Sequence, residues 1–112
     1  MIDADDWARD PSVQMMRRVF SCMEKQQGKL LQQLCIAPFD VRLRKWRASA
    51  LVWFEQVWIS AANKGIHLGE EAAAAAYAHC LGRAIASEGV SVPLEALPKN
   101  EDIAMLLKEV LQ

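Results

Sequence analysis

The sequence predicts an all-α protein, a small helical bundle of three long helices plus a short C-terminal helix, which we expect to be dimeric. Apolar side chains recur every three or four residues along three long stretches, and this spacing is typical of amphipathic helices. Prolines and glycines fall between those stretches, where helices begin and end. Residues 48–62 carry apolar side chains on two opposite sides of one predicted helix, so that segment needs cover on both sides.

The bulk composition fits a single domain. The chain has 112 residues, of which 53% are hydrophobic and 24% are charged, and its formal net charge is −1. It has no run of roughly 18 apolar residues, so we expect no membrane helix. Residues 1–9 are acidic, whereas a secretory signal begins with basic residues, so we expect a cytoplasmic protein. We predict an acidic N-terminal tail over residues 1–9 and a single helical domain over residues 10–112.

The first helix is predicted to begin at Asp10, which can cap it, and Pro11, which suits the first helical position, and to run to about Ile36. The helix is expected to end there because Pro38 disfavours helical geometry in the residue before it. Asp40 can cap the next helix, so we expect the first two helices to form a tight antiparallel hairpin. The expected apolar face of the first helix comprises Val13, Met16, Phe20, Met23, Leu30 and Leu34.

Two residues near this helix leave alternatives open. Gln27 lies within the apolar face, where its amide either finds a buried partner and fixes the packing register or reaches the edge of the face. Trp7 lies in the acidic tail and either packs back onto the domain or docks on a neighbouring molecule.

The second helix is predicted to end near Asn63, with Gly65 available for the left-handed closing residue. Its broad apolar face holds three tryptophans, Trp46, Trp53 and Trp58. Because Val52 and Ile59 lie on the opposite side, we expect this helix at the centre of the bundle and a twofold dimer. The dimer surface is expected to use either of two pairs: Val52 and Ile59, or Met15 and Val19 on the edge of the first helix.

The third helix is predicted to begin near residues 68–70 and to run to Gly89. Its five consecutive alanines, residues 72–76, let a neighbouring backbone come close, and the Trp-bearing face of the second helix is the expected neighbour. Residues 89–99 contain two prolines and are expected to form an extended connection. Asn100 then caps a short last helix.

Charge is unevenly distributed along the chain. Residues 1–10 carry a net charge of −3, residues 17–47 of +6 and residues 48–112 of −4. Several cations lie at the start of the second helix, where the helix dipole disfavours a cation in the first turn by roughly 0.3–1 kcal/mol. The hairpin is expected to bring the basic residues of both helices into one positive surface that binds an anion or a partner. These residues are Arg18, Lys25, Lys29, Arg42, Arg44, Lys45 and Arg47.

This basic block has alternative interpretations. An acidic protein surface, a phosphorylated ligand or nucleic acid could occupy it, or carboxylates of the same chain could neutralise it. The carboxylates expected at that end of the bundle are Glu88, Glu95, Glu101 and Asp102. Any nucleic-acid binding would depend on phosphate contacts and on salt concentration, because the alanine-rich third helix lacks side chains that read bases.

We expect no catalytic residues, no metal site and no cofactor. His79 and Cys80 are adjacent and point about 100° apart on a helix, so they cannot share a metal ion simply. Cys22 lies between Arg18 and Lys25, and these cations favour its thiolate, so this cysteine either responds to oxidants or is a surface thiol without a role.

The function that the sequence favours is a non-enzymatic helical protein–protein interaction module, such as an adaptor, small chaperone or regulator, acting through an apolar helix face and a basic surface. We expect its partner to be another protein, a second copy of itself, or both, and no membrane. One alternative is a nucleic-acid-associated protein that binds phosphates through residues 17–47. The other is a small-molecule binder with a pocket between the second and third helices, lined by Trp53, Trp58 and Tyr77.

Overall fold

The structure, a computed structural model, describes residues 10–111, and these residues form four α-helices and no strand. The helices are α1 (Pro11–Gln33), α2 (Leu43–Asn63), α3 (Glu70–Ser87) and α4 (Glu101–Leu111). The predicted all-helical class, with three long helices and a short last one, is confirmed. The expectations for residues 1–9, including Trp7, lie outside the described residues.

The central helix is α3, and the central position predicted for the second helix is wrong. α3 packs against each of the other three helices, whereas α2 packs on α3 and α4 and barely meets α1. Ala73, Ala76 and Ala78 of α3 are completely buried. A helix with such small side chains lets neighbouring backbones approach from several directions, and the bulky rings of α2 do not.

Helices α1 and α2 both pack on α3 and leave a gap between them. Arg18 and Gln27 of α1 lie opposite Glu70 and Tyr77 of α3, in the same order, so α1 runs in the same direction as α3. α2 runs the opposite way, since Lys45 and Phe54 lie opposite Glu88 and Tyr77, so the first two helices are antiparallel as predicted. The predicted tight packing between them is wrong, because each packs on α3 rather than on the other. The described part of the chain is only 19 Å thick, which corresponds to two layers of helices.

Local hydrogen bonds fix the helix starts as the sequence predicts. Asp10 accepts a hydrogen bond from the Ser12 backbone N–H at 2.8 Å, and Pro11 occupies the first helical position. Asn100 accepts a hydrogen bond from the Asp102 backbone N–H at 3.0 Å and so caps α4. Both predicted caps are confirmed.

The ends of α1 and α2 share one closing motif. Gly65 adopts a φ of 70° after α2, as predicted, and Cys35 adopts a φ of 56° after α1. The Ile36 N–H donates to the Leu31 carbonyl at 2.9 Å, and this bond completes the left-handed turn. Because this turn closes the helix, α1 ends at Gln33 rather than near residue 36.

The start of α2 differs slightly from the prediction. Asp40 accepts a hydrogen bond from the Arg42 backbone N–H at 2.9 Å, and α2 begins at Leu43, the residue after Arg42. The Arg42 guanidinium also donates to the Asp40 carboxylate at 2.8 Å and lies over the Trp46 ring, 4.8 Å from its centroid. These hydrogen bonds from Arg42 lower the pKa of Asp40 to about 2.

The core lies along α3, and α4 covers one part of it. Trp46 is the largest fully buried side chain, and Ile103 and Leu106 of α4 are also buried. The connection to α4 packs on α3 at Gly82, where an added Cβ would lie 2.8 Å from Leu97 Cδ2. The same connection contains a short 3₁₀ turn, Leu94–Ala96, instead of being extended throughout as predicted.

The predicted cover on the outer side of α2 is absent from the described chain. Val52 is 57% exposed and Ile59 is 50% exposed. The opposite side of α2 packs on α3, where Phe54 makes an edge-to-face contact with Tyr77 at a centroid distance of 6.4 Å. The sequence-based expectation of a dimer stays a prediction.

Candidate functional site

The main surface feature is an open apolar groove between α1 and α2, which we call the α1–α2 groove. It exists because both helices pack on α3 and make almost no contact with each other. Its volume is about 530 Å³. The groove is lined by Ser12, Met15, Met16, Val19, Phe20, Met23, Phe54, Glu55 and Trp58.

Large apolar side chains on both walls of the groove are open to solvent. Met16 is 55% exposed and Phe20 is 51% exposed, although the sequence pattern places both on the core face of the first helix. Trp58 on the opposite wall is 41% exposed. Contiguous apolar side chains of this size on a surface mark a binding site more often than they mark the general surface of a monomer.

The groove becomes polar at one end. Phe20 and Met23 also line an adjoining cavity of about 330 Å³, whose other lining residues are Glu24, Gln27, Arg47, Leu51 and Tyr77. The Tyr77 hydroxyl donates a hydrogen bond of 2.7 Å to Gln27 Oε1, so the Gln27 amide has a partner on α3. Burial raises the pKa of Tyr77, and the positive charge of nearby Arg47 opposes that shift.

Two charges on the α2 wall lack an ionic partner in the described chain. Arg47 and Glu55 are both exposed and both line the groove or its polar end. Among residues 10–111 neither lies within 4.0 Å of an oppositely charged group. These two side chains are therefore available to a molecule that enters the groove.

The predicted basic surface is partly neutralised by the chain itself. Arg18 lies 4.0 Å from Glu70, Arg42 lies 2.8 Å from Asp40, and Lys45 lies 2.6 Å from Glu88. Glu88 is the one carboxylate of the four expected at that end that forms an ion pair in the described part. The remaining basic residues have no ion pair within residues 10–111: Lys25, Lys29, Arg44 and Arg47.

The basic residues do not form one cluster with the groove. Arg47 lines its polar end, whereas Arg18 pairs with α3 through Glu70. Lys25 and Lys29 follow Arg18 on the same side of α1 by helical spacing. Of the seven basic residues, Arg47 is the one that lines the groove or its polar end.

The predicted pocket and interface residues are divided between sites. Trp58 lines the groove and Tyr77 lines its polar end, but Trp53 lines neither part. Met15 and Val19 line the groove and are half-buried. The exposed Val52 and Ile59 lie on the solvent side of α2, next to the groove wall that Glu55 forms.

The cysteines and histidines form no shared site. Within residues 10–111, no three His, Cys, Asp or Glu side chains come together in a metal-binding arrangement. Burial raises the pKa of the Cys80 thiol to about 12, so this cysteine is protonated at neutral pH. His79 hydrogen-bonds the Pro98 carbonyl at 2.6 Å, which ties α3 to the connection before α4.

The sequence analysis missed several groove residues, and the reason is geometric. Met16, Phe20 and Met23 have the spacing of a core face, and only Met23 is buried. Leu51 and Glu55 also belong to the α2 wall, and no sequence pattern marks either of them as a binding residue. The run of three methionines with Phe20 on one helix face was the available signal, since Met-rich faces are common at adaptable binding surfaces.

Comparisons with known proteins identify no relative of this chain. The chain matches no protein-family model, no curated protein and no solved structure. None of the helices formed by residues 10–111 has the length and apolar character needed to cross a bilayer.

Proposed function

We propose that this protein is a helical protein–protein interaction module whose α1–α2 groove binds an apolar, amphipathic helix. The observation that carries this proposal is the open groove between α1 and α2, with exposed Met16, Phe20 and Trp58 on its walls. Helix-in-groove recognition uses this arrangement, because an apolar helix face fills the space between two helices.

The dimensions of the groove support a helix as the occupant. The lining on α1 runs from Ser12 to Gln27 when the polar end is included, which is roughly 22 Å or four helical turns at 1.5 Å per residue. An apolar helix of about 15 residues matches that length. Methionine side chains at Met15, Met16 and Met23 can adjust to the shape of the partner helix.

The chemistry of the lining favours binding over catalysis. The groove proper offers one hydroxyl, at Ser12, and one carboxylate, at Glu55, and the remaining lining is apolar. Acid–base or nucleophilic catalysis requires paired functional groups within hydrogen-bond reach. An apolar groove with a polar end instead supplies affinity along its length and orientation at one end.

The test uses methionine methyl NMR with a designed 16-residue amphipathic peptide of leucine and glutamine. Saturable shifts at Met15, Met16 and Met23 are expected, while Met105 on α4, which is 68% exposed, serves as the internal control. A peptide of the same composition with scrambled leucines should leave all four signals in place. Equal shifts at Met105, or no shift in the groove at concentrations where the protein is monomeric, would contradict the proposed function.

A pair of matched variants locates the binding site. Phe20→Glu places a charge on the groove wall, whereas Leu94→Glu places one at a residue that is 79% exposed in the connection to α4. The Phe20 variant is expected to weaken peptide binding about tenfold or more, because a carboxylate would be buried against leucine. The Leu94 variant is expected to bind as the wild type does.

A further inference from the structure

We propose that the helix occupying the α1–α2 groove is α2 of a second copy of this chain. Each of the two copies inserts its α2 into the groove of the other, across a twofold axis near Leu51. This inference rests on the proposed function, because it fills the same groove. In the pair, each α2 lies antiparallel to the other and seats between α1 and α2 of its partner.

The charge pattern of α2 supports a second copy. Arg47 lies four residues before Leu51 and Glu55 lies four residues after it, and all three line the groove or its polar end. An antiparallel pair centred on Leu51 therefore places Arg47 of each copy opposite Glu55 of the other. Within residues 10–111 neither charge has an ionic partner, and a twofold interface would supply one to both.

A second symmetric pair reinforces the same register. Arg44 and Trp58 lie seven residues on either side of Leu51, and both are exposed. The same axis brings the Arg44 guanidinium of one copy to the Trp58 ring of the other, which is a favourable cation–π arrangement. One axis position thus gives each dimer two Arg47–Glu55 ion pairs and two Arg44–Trp58 contacts.

The exposed apolar residues of α2 give the inserting helix its apolar side. Leu51, Val52 and Ile59 are 43%, 57% and 50% exposed in the single copy. In the Leu51-centred register, Leu51 and Val52 of the inserted helix lie at the level of the exposed Phe20 on α1 of the partner, because Phe20 and Leu51 line the same cavity in each copy.

The size of the face fits a stable dimer. The 23 residues of α1 span about 34 Å, and two helices side by side are about 20 Å wide, giving a face of roughly 700 Å². Standard interfaces bury about 800 Å² per partner.

The test is a charge-reversal mixing experiment by light scattering and analytical ultracentrifugation. The full chain is expected to have twice the 12.6 kDa chain mass at micromolar concentrations. Arg47→Glu and Glu55→Arg each place like charges opposite one another in the dimer. The dimer dissociation constant of each variant alone is therefore expected to rise about tenfold or more. An equimolar mixture of the two variants restores both ion pairs and is expected to dimerise like the wild type.

Matched reversals elsewhere provide the control. Lys99→Glu and Glu95→Arg change the same charges at exposed positions in the connection to α4, and both are expected to dimerise normally. Circular dichroism of every variant verifies folding, and the doubly reversed Arg47→Glu, Glu55→Arg chain should regain self-association.

Each outcome separates this inference from the proposed function. A monomeric wild type whose groove methionines respond to the amphipathic peptide would overturn the second copy as occupant and leave the proposed function standing. A monomer that also ignores the peptide would overturn both. Dimerisation that survives either single reversal, or a mixture that stays monomeric, would overturn the Leu51-centred arrangement.

Discussion

Helices α2 and α3 lie side by side, yet α3 buries twelve of its eighteen residues and α2 buries five of its twenty-one. α2 carries the larger side chains, including three tryptophans, while eight of the eighteen residues of α3 are alanine. Large rings fill space on one side of a helix and hold neighbours at a distance, whereas methyl groups let helices approach from several sides. The central helix is therefore the one with small side chains, and the bulky helix is left with an open side.

The sharpest test of this difference removes the same side-chain volume from each helix. Leu81 of α3 is completely buried and Leu51 of α2 is 43% exposed. Leu81→Ala is expected to lower the free energy of unfolding by about 2–5 kcal/mol, because it leaves a cavity beside the core. Leu51→Ala should cost less than about 1 kcal/mol in dilute solution, where association does not contribute. Urea denaturation measures both, and similar costs would contradict the central position of α3.

The next test adds volume to α3. Ala76 is completely buried and Ala86 of the same helix is exposed. Ala76→Leu is expected to destabilise the protein by about 1–3 kcal/mol, because the neighbouring helices would have to move apart. Ala86→Leu should change stability by no more than about 0.5 kcal/mol. If both variants unfold at the same urea concentration as the wild type, α3 is not closely packed.

A smaller effect is expected where the groove meets α3. Tyr77→Phe removes the donor to Gln27 and leaves a half-buried amide oxygen without its partner, at an expected cost of about 0.5–1.5 kcal/mol. Adding Gln27→Leu to Tyr77→Phe should recover part of that loss, since both polar groups are then gone. Thermal denaturation of the single and double variants measures both costs. A Tyr77→Phe variant as stable as the wild type would contradict a stabilising hydrogen bond between Tyr77 and Gln27.

The smallest expected effect is the acid response at the start of α2. The folded-state pKa of Asp40, about 2, is below its ordinary value of 3.8, so its ionised form stabilises the folded state above pH 3.8. That contribution is lost as the pH falls from 3.8 through about 2. Asp40→Asn is expected to lose less thermal stability than the wild type between pH 5 and pH 2. Glu95→Gln, in the connection to α4, should follow the wild type, and identical curves for Asp40→Asn would contradict the pairing with Arg42.

The helix ends could be predicted from the sequence because they depend on neighbouring residues. Asp10 and Asn100 cap helices through hydrogen bonds to residues two positions away, and Gly65 closes α2 in the left-handed conformation. Cys35 adopts that same conformation without being glycine, so no residue type in the sequence indicates that α1 ends at Gln33.

The central helix and the groove could not be predicted in the same way. Whether Met16 and Phe20 are buried depends on the angle at which α1 and α2 cross α3, and helical spacing alone does not determine that angle. Periodicity places a side chain on a face, but it does not identify the neighbour that covers the face.

The candidate site was therefore predicted only in parts. Met15, Val19, Trp58, Tyr77 and Arg47 were all chosen from the sequence, but for three different roles. The structure brings these five residues to one groove. The remaining basic residues line neither the groove nor its polar end, and Arg18, Arg42 and Lys45 pair with carboxylates of the same chain.

The most direct measurement compares solvent access to Met16 and Met105 by methyl NMR with a soluble paramagnetic agent, over a range of protein concentrations. The two side chains are 55% and 68% exposed in the single copy. If the open side of α2 and the groove associate, Met16 becomes protected as concentration rises while Met105 stays accessible, and Arg47→Glu delays that protection to higher concentrations. Equal accessibility of both methyl groups up to about 1 mM, well above the micromolar dissociation constants of specific interfaces, would contradict an association through the groove.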